Sequence, residues 1–201
     1  YYLKELQTAP GWVSDETEYP FSFSAQPQDV QHVIVEPNGG QPISNETVKG
    51  YVEIYKSDAT YGGALANAVY GIYTTNGTQA GSLTTDLKGY DKSGPLPRGS
   101  YYLQEISAPE GTVLDPKQYP FTISEQDAVI TIYLENISQQ ANVLITKEGE
   151  RLTNADQSET EFGIQYTPVY GTETLSGAVY EIYANQDIYS PGGILLYSAS
   201  E

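Results

Sequence analysis

The chain repeats itself, and the phase of the repeat limits what it can fold into. Tyr1-Tyr2-Leu3-Lys4-Glu5 recurs as Tyr101-Tyr102-Leu103-Gln104-Glu105. Each copy is followed by an Ala-Pro step and then by Tyr-Pro-Phe, at 19–21 and 119–121, so Glu and Tyr stand 14 residues apart both times (19 − 5 and 119 − 105). A second element, Gly50-Tyr51-Val52-Glu53-Ile54-Tyr55-Lys56, returns as Ala141-Asn142-Val143-Leu144-Ile145-Thr146-Lys147, with the lysines 91 residues apart (147 − 56). Ala68-Val69-Tyr70-Gly71-Ile72-Tyr73 returns as Ala178-Val179-Tyr180-Glu181-Ile182-Tyr183. Self-similarity of this kind marks stacked structural units. The alternation of glutamate and lysine elements leaves one whole unit, residues 46–137. Residues 1–45 read as the C-terminal half of a first unit and residues 138–201 as the N-terminal half of a third.

A unit of this length must be built from short strands. Tyr is abundant, at 19 of 201 residues, and it accompanies frequent Val, Ile and Thr between clusters of Gly, Pro, Asn and Asp. That mixture favours strands and turns over helices, and the fold class expected is all-β, a sandwich or barrel. Turn clusters such as Thr60-Tyr61-Gly62-Gly63 and Asp91-Lys92-Ser93-Gly94-Pro95 fall where such a fold needs them. Residues 152–174 have no counterpart in the middle unit and read as an insertion, within which Phe162–Tyr166 is placed as an extra strand.

Composition removes several functions. A formal net charge of −17 repels phosphate backbones and anionic membranes, so no nucleic acid and no direct membrane contact is expected. No apolar run approaches the length of a membrane span and no signal segment opens the chain; with no initiator Met, an internal piece of a longer protein is expected. There is no Cys and one His, His32, which leaves no disulfide, no cysteine-based metal or redox site, and no expected cofactor or metal. The acidic group Asp15, Glu16 and Glu18 reads as a solvated loop in preference to a calcium site.

Strand parity exposes three misfits. Successive side chains on a strand alternate between faces. Lys56 then shares a face with Val52 and Ile54, Glu105 with Leu103 and Tyr101, and Asn136 with Ile130, Ile132 and Leu134. Lys147 repeats the pattern with Val143 and Ile145, and Glu5 repeats it with Leu3. Buried unpaired charges are costly, so a lysine, a glutamate and an asparagine that all point inward call for mutual compensation. One chemistry uses all three. Burial lowers the pKa of a lysine and yields a neutral amine; a buried glutamic acid can hydrogen-bond the asparagine carboxamide and polarise its carbonyl. Attack then expels ammonia and leaves a Lys–Asn isopeptide bond, with folding supplying the proximity.

The runs Asn45–Asp58, Ala68–Tyr73, Leu96–Glu105 and Ala108-Pro109-Glu110-Gly111 together resemble the collagen-adhesin B-type, or SpaA-like prealbumin-like, domains of Gram-positive surface proteins. The resemblance extends over essentially the whole chain, with its motifs in the family's order. It implies tandem reverse-immunoglobulin-like (prealbumin-like) β-sandwiches, each closed by a self-formed isopeptide bond. It also implies roles: Lys56 the nucleophile, Asn136 the acceptor, Glu105 the proton-sharing catalyst. In the first unit Glu5 takes the catalytic place, with Asn45 as acceptor and Asn38 as the alternative. In the third, Lys147 is the nucleophile, followed by Glu148-Gly149 where the family continues Lys-x-Asp. The function expected is a structural stalk or backbone module of an adhesin or pilus on a Gram-positive cell wall, with neighbouring repeats as partners and no external substrate. A module that binds a host matrix protein or glycan, and a transthyretin-like accessory domain without the crosslink, stand as alternatives.

Overall fold

The computed structural model describes residues 1–22 and 42–199. Asn38, with His32 and Glu36, lies outside them. The described residues divide into two units, the first comprising 1–22, 42–139 and 189–196, the second 140–188 and 197–199. Every regular element among them is a strand.

The body of the first unit is a sandwich of two sheets. One holds β3 (Lys49–Asp58) between β6 (Tyr90–Lys92) and β10 (Val129–Asn136), with β7 (Leu96–Pro97) also on β3. The other runs in the order β5 (Gln79–Thr84), β4 (Val69–Thr74), β8 (Gly99–Ser107), β9 (Gln118–Ile123). The pairing of β3 with β10 is parallel, from Val129 opposite Tyr51 to Asn136 opposite Asp58. The first and last long strands of the domain therefore lie side by side and point the same way, whereas β4, β5, β8 and β9 pair antiparallel.

Burial follows the period of two. On β3 each of Gly50, Val52, Ile54, Lys56 and Asp58 is buried, while the residues between them reach the surface in part. Val52, Ile54 and Leu134 from one sheet pack with Tyr70, Ile72, Leu83, Leu103, Phe121 and Ile123 from the other. This apolar layer supplies the driving force for the fold, at about 25 cal/mol per Å² of apolar surface removed from water. On the outer face of β3, Tyr55 stacks on Tyr133 and tilts against Tyr90, which accounts for part of the tyrosine content.

Residues 1–22 reproduce a fragment of the same sandwich. Strands β1 (Tyr2–Leu3) and β2 (Tyr19–Pro20) pair Tyr2 with Pro20 and Leu3 with Tyr19, as β8 and β9 pair Tyr102 with Pro120 and Leu103 with Tyr119. The sequence repeat is thus also a repeat of strand register.

The second unit is dominated by one long hairpin, β11 (Glu148–Thr160) with β12 (Gly163–Thr174), antiparallel with an irregularity between Leu152 and Asn154. The extra strand expected at 162–166 is the start of β12. Its partner strand is hidden in the sequence because both faces of the hairpin are exposed and carry mostly polar residues, so no apolar alternation betrays it. Val143–Thr146 and Ala178–Tyr183, which repeat β3 and β4 in sequence, form no strand and expose their apolar side chains. Strand propensity is realised through pairing and packing, and among the described residues neither segment has a pairing strand. Two short strands, β13 (Ile188–Tyr189) and β14 (Leu195–Tyr197), complete the elements.

Candidate functional site

Three strands bring Lys56, Glu105 and Asn136 into one dry cluster. Lys56 lies near the end of β3, Glu105 near the end of β8 in the facing sheet, and Asn136 at the last position of β10. The side chains of Lys56 and Glu105 are wholly shielded from solvent, with Nζ 3.5 Å from Oε1. Asn136 is 2% exposed and donates from Nδ2 to Glu105 Oε2 at 2.9 Å. The two oxygens of one carboxylate therefore face the two groups that the sequence pairs as nucleophile and acceptor.

The surroundings hold each member. Lys56 Nζ donates to the Tyr70 hydroxyl at 2.7 Å and lies 5.3 Å from the centre of its ring. Asn136 Nδ2 also donates to the Val113 carbonyl at 2.5 Å. Because a carbonyl only accepts, Val113 selects the orientation of the carboxamide and turns Nδ2, not Oδ1, toward Glu105. The hydrogen bond between Glu105 and the carboxamide is thus made to its nitrogen. Asn136 Oδ1 and Glu105 Oε1 are both buried without a hydrogen-bond partner. Buried polar atoms in that state are uncommon and costly, and a reaction at this place would consume the carboxamide.

Electrostatics favour a nucleophile. Burial pushes the Lys56 pKa below the usual lysine value, and the attraction of Glu105 offsets only part of that. Burial, then the neighbouring Glu105 charge, pushes the Tyr70 phenol well above its ordinary value, so it stays protonated. An open cavity of about 430 Å³ adjoins the cluster, lined among others by Asn136, Asp115, Lys117, Tyr119 and Glu135.

Parity does not reveal the loop after β8. The Asp115 backbone N–H donates to Glu105 Oε2 at 2.6 Å, and the Asp115 carboxylate accepts from the Tyr119 hydroxyl. Burial alone would raise the Asp115 pKa, but the bonds from Tyr119 and the Lys117 N–H carry it below the ordinary value. Burial and Asp115 push Tyr119 up to about 12. The signal that could have found this loop is the recurrence of Asp ten residues after each Glu, at 15 and 115.

The same pattern surrounds Glu5. Glu5 Oε2 accepts from the Asp15 N–H at 2.7 Å and from Asn45 Nδ2 at 2.7 Å, and Asn45 Nδ2 also donates to the Val13 carbonyl at 2.9 Å. The Asp15 carboxylate accepts from the Tyr19 hydroxyl, so Asp15 is part of this network and not merely a member of a solvated acidic loop. The Asp15 N–H is the chief cause that lowers the Glu5 pKa. An open cavity of about 330 Å³, lined by Glu5, Thr8, Ala9, Trp12, Ser44 and Asn45, borders the pair. No lysine stands at Glu5 among the described residues. Lys147 is exposed and lies on no strand.

A two-sheet sandwich closed by parallel first and last strands is a prealbumin-like fold, and in this one lysine, glutamate and asparagine meet in the core. Residues 50–138 match the model of the SpaA family, described as a prealbumin-like fold domain. The collagen adhesin of Staphylococcus aureus is 32% identical over 88 residues, which is 40% of this chain and 7% of that protein. Among solved structures, the Bacillus anthracis TIE protein has a TM-score of 0.55 at 23% identity, covering 88% of this chain and 36% of that one. BcpA, the major pilin subunit of Bacillus cereus, has a TM-score of 0.42 at 24% identity, covering 52% of this chain and 31% of that one. The chain thus spans a small part of the curated relative and about a third of each of these solved chains.

Proposed function

We propose that residues 46–137 are a load-bearing module of a stalk, adhesin or pilus on the outside of a Gram-positive cell, stapled by an isopeptide bond between Lys56 and Asn136 that Glu105 forms. The chain acts on itself once and turns over no external substrate. The observation that carries this reading is the single buried carboxylate with Lys56 on one oxygen and Asn136 on the other. The match of residues 50–138 to the SpaA family and the likeness to a collagen adhesin support the surface role.

The steps follow the contacts. Glu105 Oε1 accepts a proton from the Lys56 ammonium, and the freed Nζ lone pair attacks Asn136 Cγ. Glu105 hands that proton on to Nδ2, the Cγ–Nδ2 bond breaks as the carbonyl re-forms, and the new amide nitrogen gives up its extra proton to the carboxylate. Ammonia takes this second proton from Glu105 and leaves as ammonium, which restores the carboxylate. The cavity beside Asn136 and Asp115 offers the exit. Held in place by three strands, the reactants gain the proximity that drives intramolecular reactions. The same reading extends to Glu5 and Asn45 (alternative Asn38) as catalyst and acceptor of a second crosslink, and to Lys147 as the nucleophile of a third.

The bond serves mechanics through topology. In the parallel pair β3 and β10, a pull that enters at Lys49 and leaves after Asn136 crosses from one strand to the other at the staple. Stretching single molecules of the full chain tests this. The wild type releases almost nothing from residues 57–135. Lys56→Ala releases them, an added length of roughly 260–290 Å for about 80 residues at ~3.3–3.6 Å each. Equal extension in both would refute the load-bearing role.

A further inference from the structure

The spacing of 14 residues between Glu and Tyr occurs twice, and the geometry gives it a purpose. In the middle domain the stretch from 113 to 119 closes on itself: the Asp115 carboxylate accepts from the Tyr119 hydroxyl and from the Lys117 N–H at 3.0 Å. So held, it presents the Asp115 N–H to Glu105 Oε2 at 2.6 Å. One hundred residues earlier, Asp15 accepts from the Tyr19 hydroxyl and from the Thr17 N–H at 2.9 Å, and presents its N–H to Glu5 Oε2 at 2.7 Å. The two loops, Val13-Ser14-Asp15-Glu16-Thr17-Glu18-Tyr19 and Val113-Leu114-Asp115-Pro116-Lys117-Gln118-Tyr119, agree only at Val, Asp and Tyr. The Asp and the Tyr close the loop, and the Val carbonyl accepts from the acceptor asparagine in each copy.

We propose that Asp115, clamped by Tyr119, is a positioning residue for the crosslinking reaction. Its backbone N–H pins Glu105 Oε2 beside Asn136, which leaves Oε1 aimed at Lys56. The proposal rests on the crosslinking reading of the Lys56, Glu105 and Asn136 cluster. A fixed N–H on one oxygen converts a carboxylate that could rotate into one whose two oxygens have separate tasks. Asp15 and Tyr19 serve Glu5 in the same way.

Charge alone would act in the opposite direction. The Asp115 carboxylate favours the charged form of Lys56, so removing it should make the amine more available and the reaction faster. A slower reaction is therefore the signature of positioning.

The test follows loss of ammonia by intact mass in the full chain after cell-free synthesis is stopped. Asp115→Ala is expected to slow the loss at least about tenfold, as small misplacements of reacting groups do, and Tyr119→Phe to slow it as well. Asp115→Asn keeps an acceptor for Tyr119 and for the Lys117 N–H while removing the charge, and is expected to react at least as fast as wild type. In a Lys56→Met background, where no bond can form, Asp115→Ala is expected to melt within a few degrees of its parent. An Asp115→Ala chain that reacts as fast as wild type or faster overturns the proposal, as does a slowing in step with a large fall in melting temperature. Wild-type chain that never loses ammonia overturns the crosslinking reading and this one together; normal loss in both chains overturns the positioning role alone.

Discussion

A lysine ammonium inside a dry sandwich costs several kcal/mol unless a counter-charge meets it; Glu105 meets Lys56 at 3.5 Å, and Asp115 and Glu135 add a weaker attraction. The remaining penalty is what lowers its pKa, and it has a measurable pH signature when the bond cannot form. In Asn136→Ala, folded Lys56 gives up its proton more readily than unfolded Lys56, which titrates near 10.5. Between the two values the unfolded chain binds more protons, so stability rises with pH there. The penalty is full below the folded value and disappears above the unfolded one. Denaturant titrations from neutral pH to 10.5 should show Asn136→Ala gaining on the double variant Lys56→Met/Asn136→Ala, which shares every other titrating group. Parallel curves for the two would show that Lys56 is not buried in charged form.

The elements that carry the site are set by period two, and this is why the triad is legible in the sequence. With one face of β3, β8 and β10 in the core, a one-residue shift would move every side chain to the other side, so Lys56, Glu105 and Asn136 have nowhere else to point. The loop is not legible, because Asp115 and Val113 act through backbone atoms that no side-chain pattern records. Tyr70 reads as an ordinary core tyrosine, since its hydroxyl acquires a role only from the lysine on another strand. Gly89 is a further example. Its carbonyl accepts the Lys56 N–H at 2.7 Å, its φ is +71, and a Cβ there would collide with the Lys56 carbonyl oxygen. Gly89→Ala should therefore cost more than about 1 kcal/mol through its positive φ alone, and displace Lys56 as well. The expected result is a lower melting temperature with slower loss of ammonia, and wild-type values of both would contradict this placement of Lys56.

At the scale of the whole chain, sequence repetition and structural repetition part company. The glutamate elements at 5 and 105 build matching networks, with Asn45 and Asn136 as matching donors. The lysine elements at 56 and 147 do not match: one is a core strand, and the other exposes Val143, Leu144 and Lys147 outside any strand. A strand motif needs neighbours before it becomes a strand, and those neighbours are long-range partners that local sequence does not contain. Lysine, glutamate and asparagine consequently meet once among the described residues. A bond from Lys56 to Asn136 closes a loop of 80 residues (136 − 56). By analogy with disulfides it would stabilise the domain by about 4–5 kcal/mol. The measurement that reaches the centre of this account is the intact mass of the purified full chain beside Lys56→Ala, Asn136→Ala and Glu105→Ala. The account predicts a wild type lighter than its sequence by one ammonia and three variants at full mass; a wild type at full mass, or a Glu105→Ala chain that still loses ammonia, would contradict it.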